Sequence, residues 1–153
     1  LALFITFFII QPVFSEINEE AIQPFLADEI NQEEAFDIAA EPMKDFMLKQ
    51  TREKDLALFL RASGSDNVEE AMGLPLTTVI PAFALSELRT AFSIGFIIYV
   101  PFLVIDMVVA SILMSMGMFM LPPVMISLPF KILLFVLVDG WYLVVESLIK
   151  SFI

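Results

Sequence analysis

The chain has 153 residues, is 59% apolar with a mean hydropathy of +0.87, and carries a net charge of −11. Soluble globular domains are usually about 45–50% apolar, so an ordinary water-soluble fold is excluded, and the acidity argues against nucleic acid, whose phosphates it would repel. Cysteine and histidine are both absent, which removes disulfides, thiolate nucleophiles and the usual zinc ligands; no cofactor is implied. The charge is unevenly spread. Residues 15–75 hold fifteen acidic and five basic side chains, a net of −10, and the rest of the chain holds four and three, a net of −1.

Taken in chain order, Leu1–Ile10 is apolar throughout, and Gln11-Pro12 is expected to mark its exit into water. A span needs about 20 apolar residues, so residues 1–14 read as the end of an apolar helix that began earlier. A signal peptide is the rival reading, but no basic stretch precedes the run and no small-residue cleavage pattern follows it. Residues 15–75 read as an acidic helical region. Ser15–Leu26 is weakly helical and interrupted by Pro24. Asn31-Gln32-Glu33-Glu34 has the form of a capping box, which predicts a short helix to about Ala40. Pro42 suits the first position of the next helix, whose apolar face carries Met43, Phe46 and Met47. The pattern continues through Arg52–Leu60 and stops at Ala62-Ser63-Gly64-Ser65, with Asp66–Pro75 read as a loop. No strand signal and no internal repeat appear.

Residues 76–153 form the apolar part. Pro81 and Pro101 are expected to break it, giving helices Thr78–Tyr99 and Phe102–Met116. Leu121-Pro122-Pro123 forces a reversal, and Met125–Ile153 is expected to return as one helix. Irregular backbone at membrane depth survives only where protein or a wet cavity shelters it, so these prolines favour an oligomeric setting. The expected fold is all-α: a membrane-type helical hairpin with broken helices, plus a small acidic helical domain.

Charges lie deep inside the apolar part: Glu87, Arg89, Asp106, Lys131 and Asp139. A lone charge at the bilayer centre costs about 2.5–3.5 kcal/mol on insertion scales, so such groups are expected to have partners. Counted from Leu121, Asp106 and Lys131 differ by about 7–8 Å along the helix axes. A contact within one hairpin therefore looks strained, and pairing with a neighbouring copy is the expectation, against snorkelling of each charge to the interface. Asp106 and Asp139 could in principle do acid-base hydrolysis together, but the glycine-flanked motif of intramembrane aspartic proteases is missing. Gly95, between Phe92 and Phe96, offers a close-approach point for another helix.

Six of nine methionines fall between Met107 and Met125, and Met114, Met116, Met118 and Met120 alternate at the hairpin tip. Thioether side chains are flexible and fill irregular gaps, but a spacing of two does not suit a packed helix face. With Gly117 expected to loosen the helix, the tip reads as a soft apolar loop that can seal and yield.

Three runs, Pro81–Phe96, Pro101–Ser111 and Leu128–Trp141, together with the soluble stretch Met43–Asp55, resemble the FliP family of flagellar export proteins, which includes the related SctR proteins of injectisomes. The soluble stretch favours the flagellar branch. The resemblance implies a non-enzymatic core subunit of the type III export gate. Several copies would assemble with FliQ and FliR, and beside FlhB and FlhA, into a closed helical pore for unfolded flagellar subunits. It implies a gasket at Met116, Met118, Phe119 and Met120, with Phe119 standing where relatives often have Met. It also implies intersubunit charges at Glu87, Asp106 and Lys131, with Gly117, Pro122 and Pro123 making the hairpin turn. The location implied is the bacterial inner membrane and flagellar basal body, with residues 15–75 on the periplasmic side. The alternatives are an ion channel or transporter subunit using Asp106 and Asp139, and an intramembrane protease.

Overall fold

The computed structural model describes residues 1–64 and 73–153, and the described residues are all-α. Seven helices follow in order: α1 (Ala2–Ile17), α2 (Gln23–Leu26), α3 (Gln32–Gln50), α4 (Glu53–Ala62), α5 (Leu76–Ser115), α6 (Pro123–Leu137) and α7 (Gly140–Lys150). By packing, the chain divides into two compact units, Leu1–Thr90 and Ala91–Ile153, so that α5 contributes to both. Most of the loop expected over Asp66–Pro75 lies outside the described residues.

The first unit is built on α3. Its start is the capping box read from the sequence: the Glu34 amide donates to Asn31 Oδ1 at 2.9 Å, and the Asn31 amide donates to Glu34 Oε2 at 3.0 Å. The helix does not stop at Ala40 and restart at Pro42. It runs on to Gln50 with Pro42 buried inside it. The exposed pair Lys49–Asp45, at 2.5 Å on this helix, holds the Lys49 ammonium above its ordinary range by direct hydrogen bonding. Being solvated, it adds little to stability. Two clusters of buried apolar residues flank α3. One gathers Met47, Leu56, Leu60, Leu74, Val79 and Ala82; the other gathers Val13, Ile17 and Ala21. Met43 and Phe46 pack against both.

The N-terminal helix runs further than its apolar stretch: it does not break at Gln11-Pro12 but continues as α1 to Ile17, and Val13 and Ile17 are core residues of the second cluster. A π-helical turn, Asn18–Ile22, follows and leads into α2. Pro24 accounts for it: its ring would crowd the carbonyl four residues back, and a wider turn relieves that clash. Ala2–Leu26 is therefore one long apolar element, long enough to cross a membrane.

Leu76–Ser115 is also long and apolar enough to cross, at 40 residues. The expected breaks at Pro81 and Pro101 do not occur. Each proline forgoes one backbone hydrogen bond, and an apolar helix sheltered from water has no better place for its remaining bonds than the helix itself. The returning arm, expected as one helix, is two. Asp139 adopts a left-handed conformation, φ 52°, and α7 leaves α6 at 62°. Asp-Gly is a natural site for this, because aspartate tolerates left-handed backbone better than most residues. At 1.5 Å per residue, α6 rises about 22 Å and α7 about 17 Å. Each alone is shorter than the hydrocarbon core of about 30 Å. Counting this bent pair as one span gives three candidate spans among the described residues.

Candidate functional site: a sulfur-rich hairpin tip and two carboxylate clamps

The hairpin tip lies in the second unit. At the end of α5 the Gly117 amide donates to the Met114 carbonyl at 3.1 Å, and the Met118 amide donates to the Leu113 carbonyl at 3.0 Å. This bond pair, with Gly117 at φ +73°, is a Schellman ending. Gly117 therefore terminates the helix, where the sequence reading had it loosening one. The chain then reverses and re-enters helix with Pro122 as the N-cap of α6 and Pro123 as its first residue. Between the two helices the apolar side chains face outward. Met116 is 62% exposed, Met118 41%, Phe119 80% and Met120 97%. The four candidate gasket residues thus form one projecting apolar tip with no core of their own.

Deeper in the hairpin, Asp106 on α5 meets two groups of α6. Lys131 Nζ donates to Asp106 Oδ2 at 2.6 Å, and the Ser127 hydroxyl donates to Asp106 Oδ1. Ser127 is fully buried, and its hydroxyl also lies 3.1 Å from the Val124 carbonyl. This corrects the expectation that a neighbouring copy supplies the partner of Lys131. The error lay in the origin of the count. The reversal is centred near Phe119, not at Leu121: Asp106 is nine residues before Ser115 and Lys131 eight after Pro123, a difference of one residue, or about 1.5 Å. The pair closes within one chain without strain.

The first unit contains a second clamp of the same design. Asp55, at the start of α4, is 3% exposed and accepts from the Ser86 hydroxyl at 2.8 Å; Arg89 lies 3.3 Å from its other oxygen. The Arg52 amide donates to Ser86 Oγ at 3.1 Å, so the buried side-chain polar atoms of the cluster are all engaged. In both clamps a serine and a cation three or four residues apart on one helix grip a carboxylate from another. Asp55, Ser86 and Ser127 were missed in the sequence. The legible signal was a serine one helical turn from a cation inside an apolar helix, Ser86 with Arg89 and Ser127 with Lys131.

The remaining candidates are placed differently. Glu87 is half-buried in the first unit, with no ion pair among the described residues. Asp139 is exposed at the α6–α7 break, and its partnership with Asp106 has no support in any bond. Gly140 beside it is buried against Phe135, which meets Trp141 edge-on at 5.3 Å. Gly95 faces open space, in a shallow apolar depression with Phe92, Phe96 and Tyr99. A groove of about 450 Å³ between α5 and α6 is lined by Val104, Val108, Ile112, Ile126 and Phe130. Among the described residues no group of acidic side chains is arranged to hold a metal ion.

Comparison with known proteins agrees over the whole length. Residues 1–148 match the profile of the FliP family. The chain is 66% identical to the flagellar biosynthetic protein FliP of Bacillus subtilis over 99% of its own length and 69% of that protein's. It is 54% identical to the Aquifex aeolicus protein of that name and 53% identical to the Pectobacterium carotovorum one. In both, 99% of this chain is covered, against 64% and 59% of those relatives. The chain thus spans roughly two thirds of the length of these relatives or somewhat less. An all-α chain with membrane-length helices, matched across both its acidic and its apolar parts, belongs to the FliP family.

Proposed function

We propose that the chain is a core subunit of the flagellar type III protein export gate. Several copies, with FliQ and FliR, form a closed pore in the bacterial inner membrane at the flagellar basal body. Unfolded flagellar subunits pass through it. FlhB and FlhA are its further partners, and residues 15–75 face the periplasm. The role is not enzymatic.

The observation that carries this reading is the tip. Four large apolar side chains within five residues protrude from a hairpin whose Asp106 and Lys131 already neutralise each other. Such a surface is stable only when covered, and copies arranged around an axis cover one another's tips. Met, Gly and Phe at this bend give a seal that excludes water and ions yet deforms around a passing chain. The apolar groove between α5 and α6, and the open face at Gly95, supply seats for neighbouring helices. The channel and protease readings draw less support. Asp106 is committed to Lys131 and Ser127, which leaves it poorly placed to carry ions or activate water.

The test is replacement of Met116, Met118 and Met120 together by alanine in the full-length protein. Leakage of small solutes into cells that assemble the gate should rise. Unchanged leakage at equal assembly would remove the seal.

A further inference from the structure

We infer that the headgroup layer of the bilayer crosses the hairpin at the level of Tyr99, Asp139, Trp141 and Tyr142, and that α7 lies along that surface instead of completing a span. The occupant of this face is phospholipid, continuous with the bilayer that surrounds the apolar arms. α5 is 40 residues long, or about 60 Å at 1.5 Å per residue, twice the hydrocarbon thickness of about 30 Å. A membrane that holds α5 therefore leaves about half of it outside, and a surface must cut the helix somewhere. Three features of the second unit select the same height.

The first is aromatic. The Asp106–Lys131 contact fixes the register of the two arms. Asp106 to Ile98 and Lys131 to Asp139 are eight residues each, leading away from the tip, so Ile98 stands level with Asp139. A cavity of about 360 Å³ lined by Ile98, Pro101, Phe102, Val138 and Gly140 places the two segments side by side, and the Phe102 and Phe135 rings lie 6.3 Å apart. Tyr99 therefore shares the height of Trp141 and Tyr142. These three are every tryptophan and tyrosine of the chain. Each has an apolar ring and a polar tip, and such residues gather where hydrocarbon meets headgroups. Phenylalanine lacks the polar tip and is not so confined: Phe92, Phe119 and Phe130 lie at other heights.

The second is the backbone break. α7 has no side-chain cap, and among the described residues the amides of Gly140, Trp141 and Tyr142 and the Asp139 carboxylate have no bonded partner. Hydrocarbon satisfies none of these groups, whereas headgroups and interfacial water satisfy all of them. The third is α7 itself, which leaves α6 at 62°. Val144, Val145, Leu148 and Ile149 share one face of it. Glu146, Ser147 and Lys150 share the opposite face, with Lys150 paired to Glu146 at 2.7 Å. A helix divided in this way lies flat at an interface. Its one acid and one base cancel, so the apolar face and the aromatic pair hold it there, and anionic lipid is not required. Below this height, Tyr99 to Ser115 spans about 24 Å and α6 about 22 Å. The two arms thus enter from one surface, and their helices end short of the other.

The experiment uses the full-length protein, co-purified with its partners and reconstituted in phosphatidylcholine vesicles with and without phosphatidylglycerol. Residues 1–153 contain no cysteine, so Leu133→Cys, Val144→Cys, Ser147→Cys, Leu148→Cys and Lys150→Cys each give one spin-labelled position in a background free of other cysteines. Copurification with the partners shows that each labelled protein has folded. Depth is read from collisions with oxygen, which favours hydrocarbon, against a nickel chelate, which stays in water. Labels at Val144 and Leu148 should meet oxygen, and those at Ser147 and Lys150 the chelate, with no steady trend along α7. The Leu133 label should lie about 9 Å below the elbow, six residues down α6, and phosphatidylglycerol should change none of these depths. A steady drift of depth from Val144 to Lys150, the signature of a span, overturns the proposal. So do chelate contact on every face, which would put the elbow in an aqueous conduit, and shielding from both reagents, which would mean that protein covers α7. None of these outcomes depends on what the pore carries.

Discussion

Lys131→Ala is the sharpest perturbation of this molecule. The ammonium sits 2.6 Å from Asp106, and the two side chains are only 18% and 22% exposed. Removing one partner of a buried ion pair costs about 3–5 kcal/mol, mostly through the charge left behind. Two features reduce that figure here. Ser127 still donates to Asp106, and the remaining exposure admits some water. We therefore expect about 2–3 kcal/mol, roughly a 30- to 150-fold loss in the folding equilibrium. Asp106→Ala should cost less, because the freed lysine can extend its stem toward polar surroundings. Asp106→Ala/Lys131→Ala removes both charges and should recover to within about 1 kcal/mol of wild type. The assay is denaturation of the 153-residue chain in detergent, followed by the fluorescence of Trp141, the one tryptophan in that sequence. Copurification with partners is scored on the same four proteins. A coupling energy below about 0.5 kcal/mol would refute a pair closed within one chain. Loss of copurification without coupling in the isolated subunit would return Lys131 to a contact between copies.

Ser127→Ala removes a buried hydroxyl from a charged acceptor and should destabilise the hairpin by about 1.5–3 kcal/mol in the same fluorescence assay; Ser127→Thr should retain part of that. Asp55→Ala leaves the buried Ser86 hydroxyl without its acceptor while the half-exposed Arg89 stays solvated, at a cost of about 1–3 kcal/mol. It should speed hydrogen exchange along α4, and unchanged exchange there would show that the clamp is ornamental. Gly140→Ala places a methyl group 2.3 Å from the Phe135 ring. That ring must move off Trp141, so a shifted Trp141 emission and a loss of about 1–3 kcal/mol are expected; an unaltered spectrum would mean that the bend gives way instead.

The parts legible in the sequence were those set by local chemistry. Asn31 and Glu34 cap a helix because the four-residue pattern contains both halves of the exchange. Pro122-Pro123 was legible as the edge of the turn because proline suits the start of a helix, and the structure uses the pair to open α6 after Gly117 has ended α5. The methionine tip was visible because its spacing of two fits no helix face. What stayed hidden depended on partners distant in sequence or on a small offset. Pro101 and Pro42 look like breaks, yet helices absorb them once the surroundings offer the backbone nothing better. Asp139-Gly140 looks unremarkable inside Met125–Ile153, although that dipeptide is a turn signal and the structure uses it as one. The Asp106–Lys131 contact was displaced onto a neighbour by a two-residue misjudgement of the turn's centre, since each residue moves the register of both arms. Ser86 and Ser127 drew no notice because a serine in an apolar helix can equally satisfy its own backbone.

Met43 and Phe46 sit on one helix and belong to both apolar clusters of the first unit. A shared wall makes two rooms into one building. Neither cluster can loosen while the other holds, so Val13 on α1 and Leu60 on α4 should lose protection together on warming. A tug on the N-terminal helix would then be felt through α3 at the start of α5, with no direct bond between them.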